Sequence, residues 1–396
     1  MTIFEQQNIT PKPRAHIIVI GAGLMGRLTA LSLINQGHQV ILVDKDTKQG
    51  HQSAAYAAAG LLTPLGEALH TEPNIVAMGF ASLKLWPKIL AKLSGYTYFQ
   101  QAGSLMVSHE QDHGDYQRLV RFIKNHYPQH QLQQLNRQQI VELEPELGRS
   151  FHQGVFLPEE GQIGNRKLLI ALQAQLESSG VIWLDNSRVI KIDPQRSQCL
   201  VTYNHQDQVK VLAADLAIDC RGIGARGHEN KAEALPLSDL RGVRGELFQL
   251  FAPDVHLQRP IRLMHPRYQL YIAPKTKGFY VVGATEIESE DCSPMTVRSS
   301  MELLSAAYSV HPGFAEANIR QHISQLRPAF SDNQPKICVQ PRLIQVNGLF
   351  RHGYLIAPVV LKQLEFAVNE CIENRDVNHL TTQSPYGDLL AIATNK

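Results

Sequence analysis

Nowhere in the 396 residues does an apolar run approach the ~18 residues that a membrane-spanning helix needs. The opening stretch MTIFEQQNITPKPR is polar, so neither a membrane span nor a cleaved secretory leader is expected. Charge of one sign is missing too. Thirty-eight Lys and Arg stand against 36 Asp and Glu, a formal net charge of +2 with no dense basic block. Binding to nucleic acid or to an anionic membrane relies on clustered Lys and Arg, so neither partner is expected. The five cysteines (Cys199, Cys220, Cys292, Cys338 and Cys371) form no Cys-x-x-Cys pair and are odd in number. They read as buried thiols of a cytoplasmic protein rather than as a disulfide frame. Internal repeats, low-complexity linkers, a Gly-x-Ser-x-Gly elbow and a Cys–His catalytic arrangement are all absent. A chain with 43% apolar and 19% charged residues is that of a globular protein, and its length predicts roughly two or three domains.

What is present begins with a βαβ opening. His16–Ile20 reads as a strand, Leu24–Gln36 as a helix and Gln39–Asp44 as a second strand. After "SAAYAAAGLLTP" (Ser53–Pro64), a helical stretch from Glu67 to Leu93 is expected to bend near Pro73 and Pro87. Ser104–Ser108 has strand character, Asp112–Asn125 and Arg137–Leu143 helical character. Gly164–Gly180 is an amphipathic helix with a glycine in C-cap position. Val181–Leu184, Val189–Ile192 and Leu216–Asp219 read as strands. From Leu240 the chain turns β-rich, with a hairpin through "PKTKG" (Pro274–Gly278). The helices Val297–Ser309 and Pro358–Asn374 follow. The expected organisation is a nucleotide-binding domain (1–98, 150–232, 323–396) interrupted twice by a substrate-facing one (99–149, 233–322).

Gly21, Gly23 and Gly26 stand at Gly-x-Gly-x-x-Gly spacing between a strand and a helix. The three positions suit a tight turn, close approach to a pyrophosphate and close helix–strand packing. The helix start then offers N–H groups and a partial positive charge to phosphates. Asp44, at the end of the second strand, is placed to accept from ribose hydroxyls and disfavours a 2′-phosphate. Dinucleotide binding follows from this context, and NAD and FAD both remain open.

Four further stretches carry a resemblance. "SAAYAAAGLLTP" resembles the second flavin-contacting loop of the glycine oxidase and D-amino-acid oxidase family. "YIAPKTKGFYVVGATE" is similar to that family's Tyr-x-x-Pro hairpin ending in Gly-Ala-Thr. "LRPAFSDNQPKI" resembles its Arg-Pro-x-x-x-Asp-x-x-Pro signature, and "GLFRHGYLIAP" its Gly-x-x-Arg-x-Gly-x-x-x-Ala-Pro ending. They occur in family order from Ile17 to about Glu373, with the likeness strongest to the glycine oxidases of thiamine-thiazole synthesis.

The resemblance implies an α/β protein, with a Rossmann-like FAD-binding domain and a second, mainly antiparallel-sheet substrate domain that roofs the flavin. It implies FAD held without a covalent bond, since "LRPAFSDN" carries no cysteine. The expected cofactor contacts are Gly21, Ala22, Gly23, Met25, Gly26, Asp44, Lys45, Ser53, Ala59, Gly60, Leu61, Val189, Gly222, His352, Gly353, Tyr354 and Leu355. Arg327 is the candidate for binding a substrate carboxylate, through two parallel hydrogen bonds, with the Tyr271 hydroxyl assisting. A structural ion pair for Arg327 and simple packing for Tyr271 are the competing readings. Strand alternation places Gln269 and Tyr271 on one face. Arg351 either shares substrate contact or holds its loop. No catalytic acid or base is assigned, because orientation dominates.

The implied activity is oxidation of a small amino acid (glycine, sarcosine or a small D-amino acid). Hydride passes from Cα to flavin, and molecular oxygen or another acceptor takes the electrons. A homo-oligomer is compatible with the family. The rival readings are a dehydrogenase of the same fold, an enzyme modifying an aminomethyl group on tRNA, and a flavin-loaded regulatory protein without turnover. "HEQDH" (His109–His113) satisfies His-Glu-x-x-His, but it follows a strand and precedes Gly114. It reads as a polar strand-to-helix junction, and no metal is expected. Asp44 for the usual glutamate, Leu61 for methionine, Gln269 for histidine, and Leu349 and His352 for commoner residues depart from the family pattern, leaving substrate identity open.

Overall fold

A computed structural model describes residues 14–147, 151–226, 237–265, 270–373, 385–387 and 389–392. Gln269 lies outside the described residues.

The strand His16–Ile20 is an unbroken apolar run, and buried, from Ile17 onward, as a strand covered on both faces must be. It pairs in parallel with Gln39–Val43 on one side and with Leu216–Asp219 on the other. These are central strands of a seven-stranded sheet completed by Ile182–Leu184, Leu343–Asn347, Lys336–Gln340 and Leu390–Ile392. Alternation sorts its side chains. Ile17 and Val19 enter the core shared with helices Leu24–Asn35, Pro73–Leu90, Asn165–Ser178 and Gly353–Glu373. Ile18 and Ile20 pack with Val189, Val201 and Tyr203 on the opposite face.

That opposite face carries a three-stranded antiparallel sheet, Ser187–Pro194, Cys199–His205 and Gln208–Ala214. Only part of its first strand was expected. Its hairpin turns on Gln206 and Asp207, both at positive φ (52° and 60°). Two-residue hairpins of this type ordinarily advertise themselves by Asn-Gly or Asp-Gly, so Gln-Asp conceals this one.

The second layer is an eight-stranded mixed sheet. Its longest pair, Arg241–Phe251 with antiparallel Asn318–Ala329, brings Val243 opposite Arg327. The strand Asn318–Ala329 runs through residues 322 and 323, where the sequence suggested a return to the first domain. The hairpin Leu270–Pro274 and Phe279–Gly283 is present. Leu270 and Ile272 face outward to Leu303, Ala306 and Val310 of the helix Val297–Val310. Tyr271 and Ala273 face inward, with Leu247 and Val281, toward Ala59 and Leu61 of the first layer. The functional cavity lies between these two inner surfaces.

Two helices depart from the expected bounds. Pro73 starts a helix that runs without interruption past Pro87 to Leu90. The last helix spans Gly353–Glu373, with Pro358 inside it rather than at its start. Proline at that position supplies no N–H to the carbonyl of Tyr354. The Trp86 indole N–H supplies it instead, at 2.9 Å.

Candidate active site

A cavity of about 1220 Å³ runs from the glycine loop to the inner face of the mixed sheet. That exceeds the ~300–1,000 Å³ of an ordinary ligand pocket, as a dinucleotide plus a small substrate requires. At one end, Gly21 adopts φ +95°, and a Cβ there would lie 2.7 Å from the Cys220 carbonyl oxygen. Its N–H bonds to Val43 O at 2.8 Å, so the turn is tied to the second strand. A Cβ on Gly26 would collide with Gly21 O. Gly26 therefore serves helix-to-loop packing and does not line the cavity, whereas Gly21, Ala22, Gly23 and Met25 do.

Asp44 accepts from the backbone N–H of Ala22 through Oδ2 and from Asp46 N–H through Oδ1. Burial pushes its carboxyl upward and these two bonds oppose the shift. Each oxygen keeps a second lone pair for a ribose hydroxyl. No motif in the sequence pointed to Arg27, which is 1% exposed. It donates to Ala22 O (2.8 Å), Leu169 O (2.7 Å) and Lys48 O (2.7 Å), and so clamps the glycine loop from behind. Lys45, Ser53, Ala59, Gly60, Leu61, Val189 and Gly222 all line the same cavity. Gly60 sits at φ +71°, where a Cβ would strike Ile163 O. Small residues in this loop thus leave room for a flat ligand.

Toward the other end, Arg327 and Tyr271 both line the cavity and interact electrostatically with one another. A Cβ on Gly245 would overlap the Arg327 guanidinium, which therefore lies flat against bare backbone. Its Nη1 and Nη2 both donate to Thr285 O at 3.1 Å. A guanidinium has five donors, so the remaining edge is available to an anion in the cavity. Burial drives the Tyr271 phenol up to about 12, against a smaller opposing pull from Arg327. It stays a protonated donor.

Arg351 lines the cavity but is already engaged. Nη1 bonds Glu286 Oε2 at 2.9 Å, Nη2 bonds His70 O at 2.7 Å, and Nε lies 3.4 Å from Glu67 Oε2. Arg262 pairs with the other oxygen of Glu67. Burial would raise the Glu67 carboxyl, yet Arg262 and Arg351 outweigh it and hold the group well below the usual carboxylate range. Arg262, Glu67, Thr285 and Glu286 escaped the sequence reading. The one available signal was an arginine inside the apolar strand "IRLM". His352 is 4% exposed and shares a 2.8 Å hydrogen bond with Thr71 Oγ1. Burial takes its imidazole down to about 3, so it is neutral. With Gly353, Tyr354 and Leu355 it brings the start of the last helix to the cavity.

His109 and His113 of "HEQDH" flank a short 3₁₀ turn and contact Ser309 and Gln153 respectively. Among the described residues, no cluster of three or more His, Cys, Asp or Glu could hold a metal ion. No helix among them is long and apolar enough to cross a membrane.

Comparison with known proteins bears on the family and the fold. Residues 16–364 match the DAO family, described as FAD dependent oxidoreductases. A thiamine biosynthesis oxidoreductase ThiO of Rhizobium etli is 34% identical over 344 residues, covering 87% of this chain and 93% of that one. A glycine oxidase of Pseudomonas aeruginosa is 23% identical over 362 residues, covering 88% and 93%. The crystal structure of glycine oxidase from Geobacillus kaustophilus superposes with a TM-score of 0.77 at 22% identity, covering 94% of this chain and 98% of that chain. The glycine cradle and the residue 16–364 match lead to one conclusion: the chain belongs to the DAO family of FAD-dependent oxidoreductases.

Proposed function

We propose that this oxidoreductase oxidises a small amino acid, glycine or sarcosine first, at the Cα–N bond, with oxygen as the final acceptor and peroxide as product. The observation that carries the reading is Arg327. Its guanidinium lies against Gly245, two of its donors are used on Thr285 O, and it lines the cavity together with Tyr271.

The substrate carboxylate binds the remaining guanidinium donors through charge-assisted hydrogen bonds, and Tyr271 donates a further one. Two fixed contacts on one end of a small acid set the direction of its Cα–H, and orientation of this kind lowers the barrier by several kcal/mol. Bound FAD supplies the two-electron acceptor that no side chain can provide. Gly21, Ala22, Gly23, Asp44 and Ser53 would hold its nucleotide part, and Ala59, Gly60, Leu61 and His352–Leu355 its ring. Neutral His352 and the positive end of the last helix suit a region where negative charge develops. The likeness to a protein named for thiamine biosynthesis supports a role for the imine product in thiazole formation.

The test is anaerobic mixing of the yellow holoenzyme with glycine, sarcosine and D-alanine. Bleaching with at least one, and peroxide formed in step with turnover under air, is expected. No bleaching with any of the three sinks the substrate reading, and dye reduction without peroxide sinks the oxidase reading.

A further inference from the structure

We infer that the buried Arg244–Glu246 ion pair, acting through Thr285, is a positioning device that seats Arg327 and steadies Arg351. The inference rests on the carboxylate-anchoring reading of Arg327 given above.

Both arginines lean on one segment. Thr285 O takes the two Arg327 donors, and Glu286 pairs with Arg351. Yet residues 284–294 form no strand or helix. Their backbone contacts with the sheet are the isolated bridge between Ile287 and Arg244 and one bond from Thr285 N–H to Glu246 O. A segment with so little ladder support would drift unless side chains fixed it.

Arg244 and Glu246 fix it. Arg244 Nη1 donates to Asp291 O at 2.6 Å and Nη2 to Pro294 O at 3.0 Å, gathering the far end of the segment. Arg244 Nε and Nη2 both bond Glu246 Oε1, at 3.0 and 2.7 Å. The other Glu246 oxygen accepts from Thr285 Oγ1 at 3.0 Å, and Thr285 Oγ1 accepts from Glu246 N–H at 3.0 Å. Thr285 N–H returns to Glu246 O at 3.1 Å. The peptide that faces Arg327 is therefore held on both sides of its Cα.

Strand alternation completes the device. Arg244 and Glu246 point away from the cavity, and Gly245 between them points in, where its missing Cβ makes the bed for the guanidinium. One tripeptide thus supplies both the seat and the brace. Arg244 is 3% exposed and Glu246 0%. A pair buried this deeply contributes little stability over a well-packed apolar substitute. Holding the fold together does not by itself call for these two charges, whereas orienting a carbonyl does.

The test uses holoenzyme and acetate, a carboxylate that cannot be oxidised here, titrated against the flavin absorbance. Thr285→Val removes the hydroxyl link and keeps the carbonyl. It is expected to raise the acetate Kd and the amino-acid KM about five- to ten-fold, with the limiting anaerobic reduction rate within about two-fold of wild type. Thr285→Ser, which keeps the hydroxyl, restores wild-type affinity. The double variant Arg244→Met with Glu246→Leu is expected to melt no lower than wild type and still to bind acetate as weakly as Thr285→Val. Wild-type acetate affinity in both the Thr285→Val and the double variant overturns the inference. If acetate leaves the wild-type flavin spectrum unmoved, the anchoring reading of Arg327 falls instead.

Discussion

The Trp86 indole N–H reaches 2.9 Å to the carbonyl oxygen of Tyr354, the acceptor that Pro358 leaves without its helical partner. Trp86 is fully buried in the helix Pro73–Leu90, so this bond joins the two helices at the place where Pro358 removes a helical N–H. Replacing Trp86 by Phe leaves a buried carbonyl unsatisfied and opens a small void. A loss of about 2–3 kcal/mol in urea unfolding is expected. In a Pro358→Ala background the helix supplies its own N–H, and the same substitution is expected to cost roughly half as much. Equal losses in the two backgrounds would show that the bond has no such role.

Arg327→Ala is expected to abolish substrate-driven flavin reduction at millimolar amino acid while leaving the bound-flavin spectrum intact. The drop in kcat/KM should be about 10³-fold or more, the scale of a lost charge-assisted pair. Arg327→Lys keeps the charge but not the planar fork and is expected to recover only a small part. Retained reduction in the alanine variant would remove Arg327 from the site.

Tyr271 offers a prediction in pH. Burial lifts its phenol to about 12, so it remains a donor across the whole working range. Tyr271→Phe should weaken acetate binding about five- to ten-fold, the cost of one hydrogen bond to a charged group. The ratio of the two dissociation constants should stay constant from about pH 7 to pH 10. A ratio that shrinks toward unity within that window would mean that the phenol ionises there.

Glu160 ties the short helix Pro64–Glu67 in place. Its Oε1 accepts from Leu65 N–H (2.6 Å) and Gly66 N–H (2.9 Å), and Ser104 Oγ bonds its Oε2. It is 0% exposed, and burial lifts its carboxyl from 4.5 to about 7 despite these bonds. The folded state therefore binds more protons than the unfolded state between those two values. Stability from this group is full below 4.5 and is lost as pH rises through 7, by on the order of 3 kcal/mol. The unfolding free energy of wild type minus that of Glu160→Gln should fall by that amount between about pH 4 and pH 8. A flat difference would rule out the raised carboxyl.

Legibility from sequence followed the range of the interactions. The glycine loop, the hairpin carrying Tyr271 and the helix Arg137–Leu143 lie where local pattern put them. Each is specified by residues within a few positions of one another. The sheet Ser187–Ala214 was largely hidden because its turn uses Gln206 and Asp207, side chains that do not announce a positive φ. Pro358 misled for the opposite reason: the group that compensates for it, the Trp86 indole, bonds Tyr354 from 268 positions away along the chain.

The sequence by itself determined the dinucleotide cradle, because spacing between small residues is a local fact, and its family resemblance put Arg327 forward as the proposed carboxylate anchor. Only the tertiary structure decided which arginine stands open. Arg327 rests on Gly245 with an edge to the cavity, whereas Arg351 is claimed by Glu286, His70 and Glu67 and Arg262 is paired with Glu67. Those partners come from three distant stretches, and charge pairing depends on distance in space, which the order of residues along a chain does not disclose.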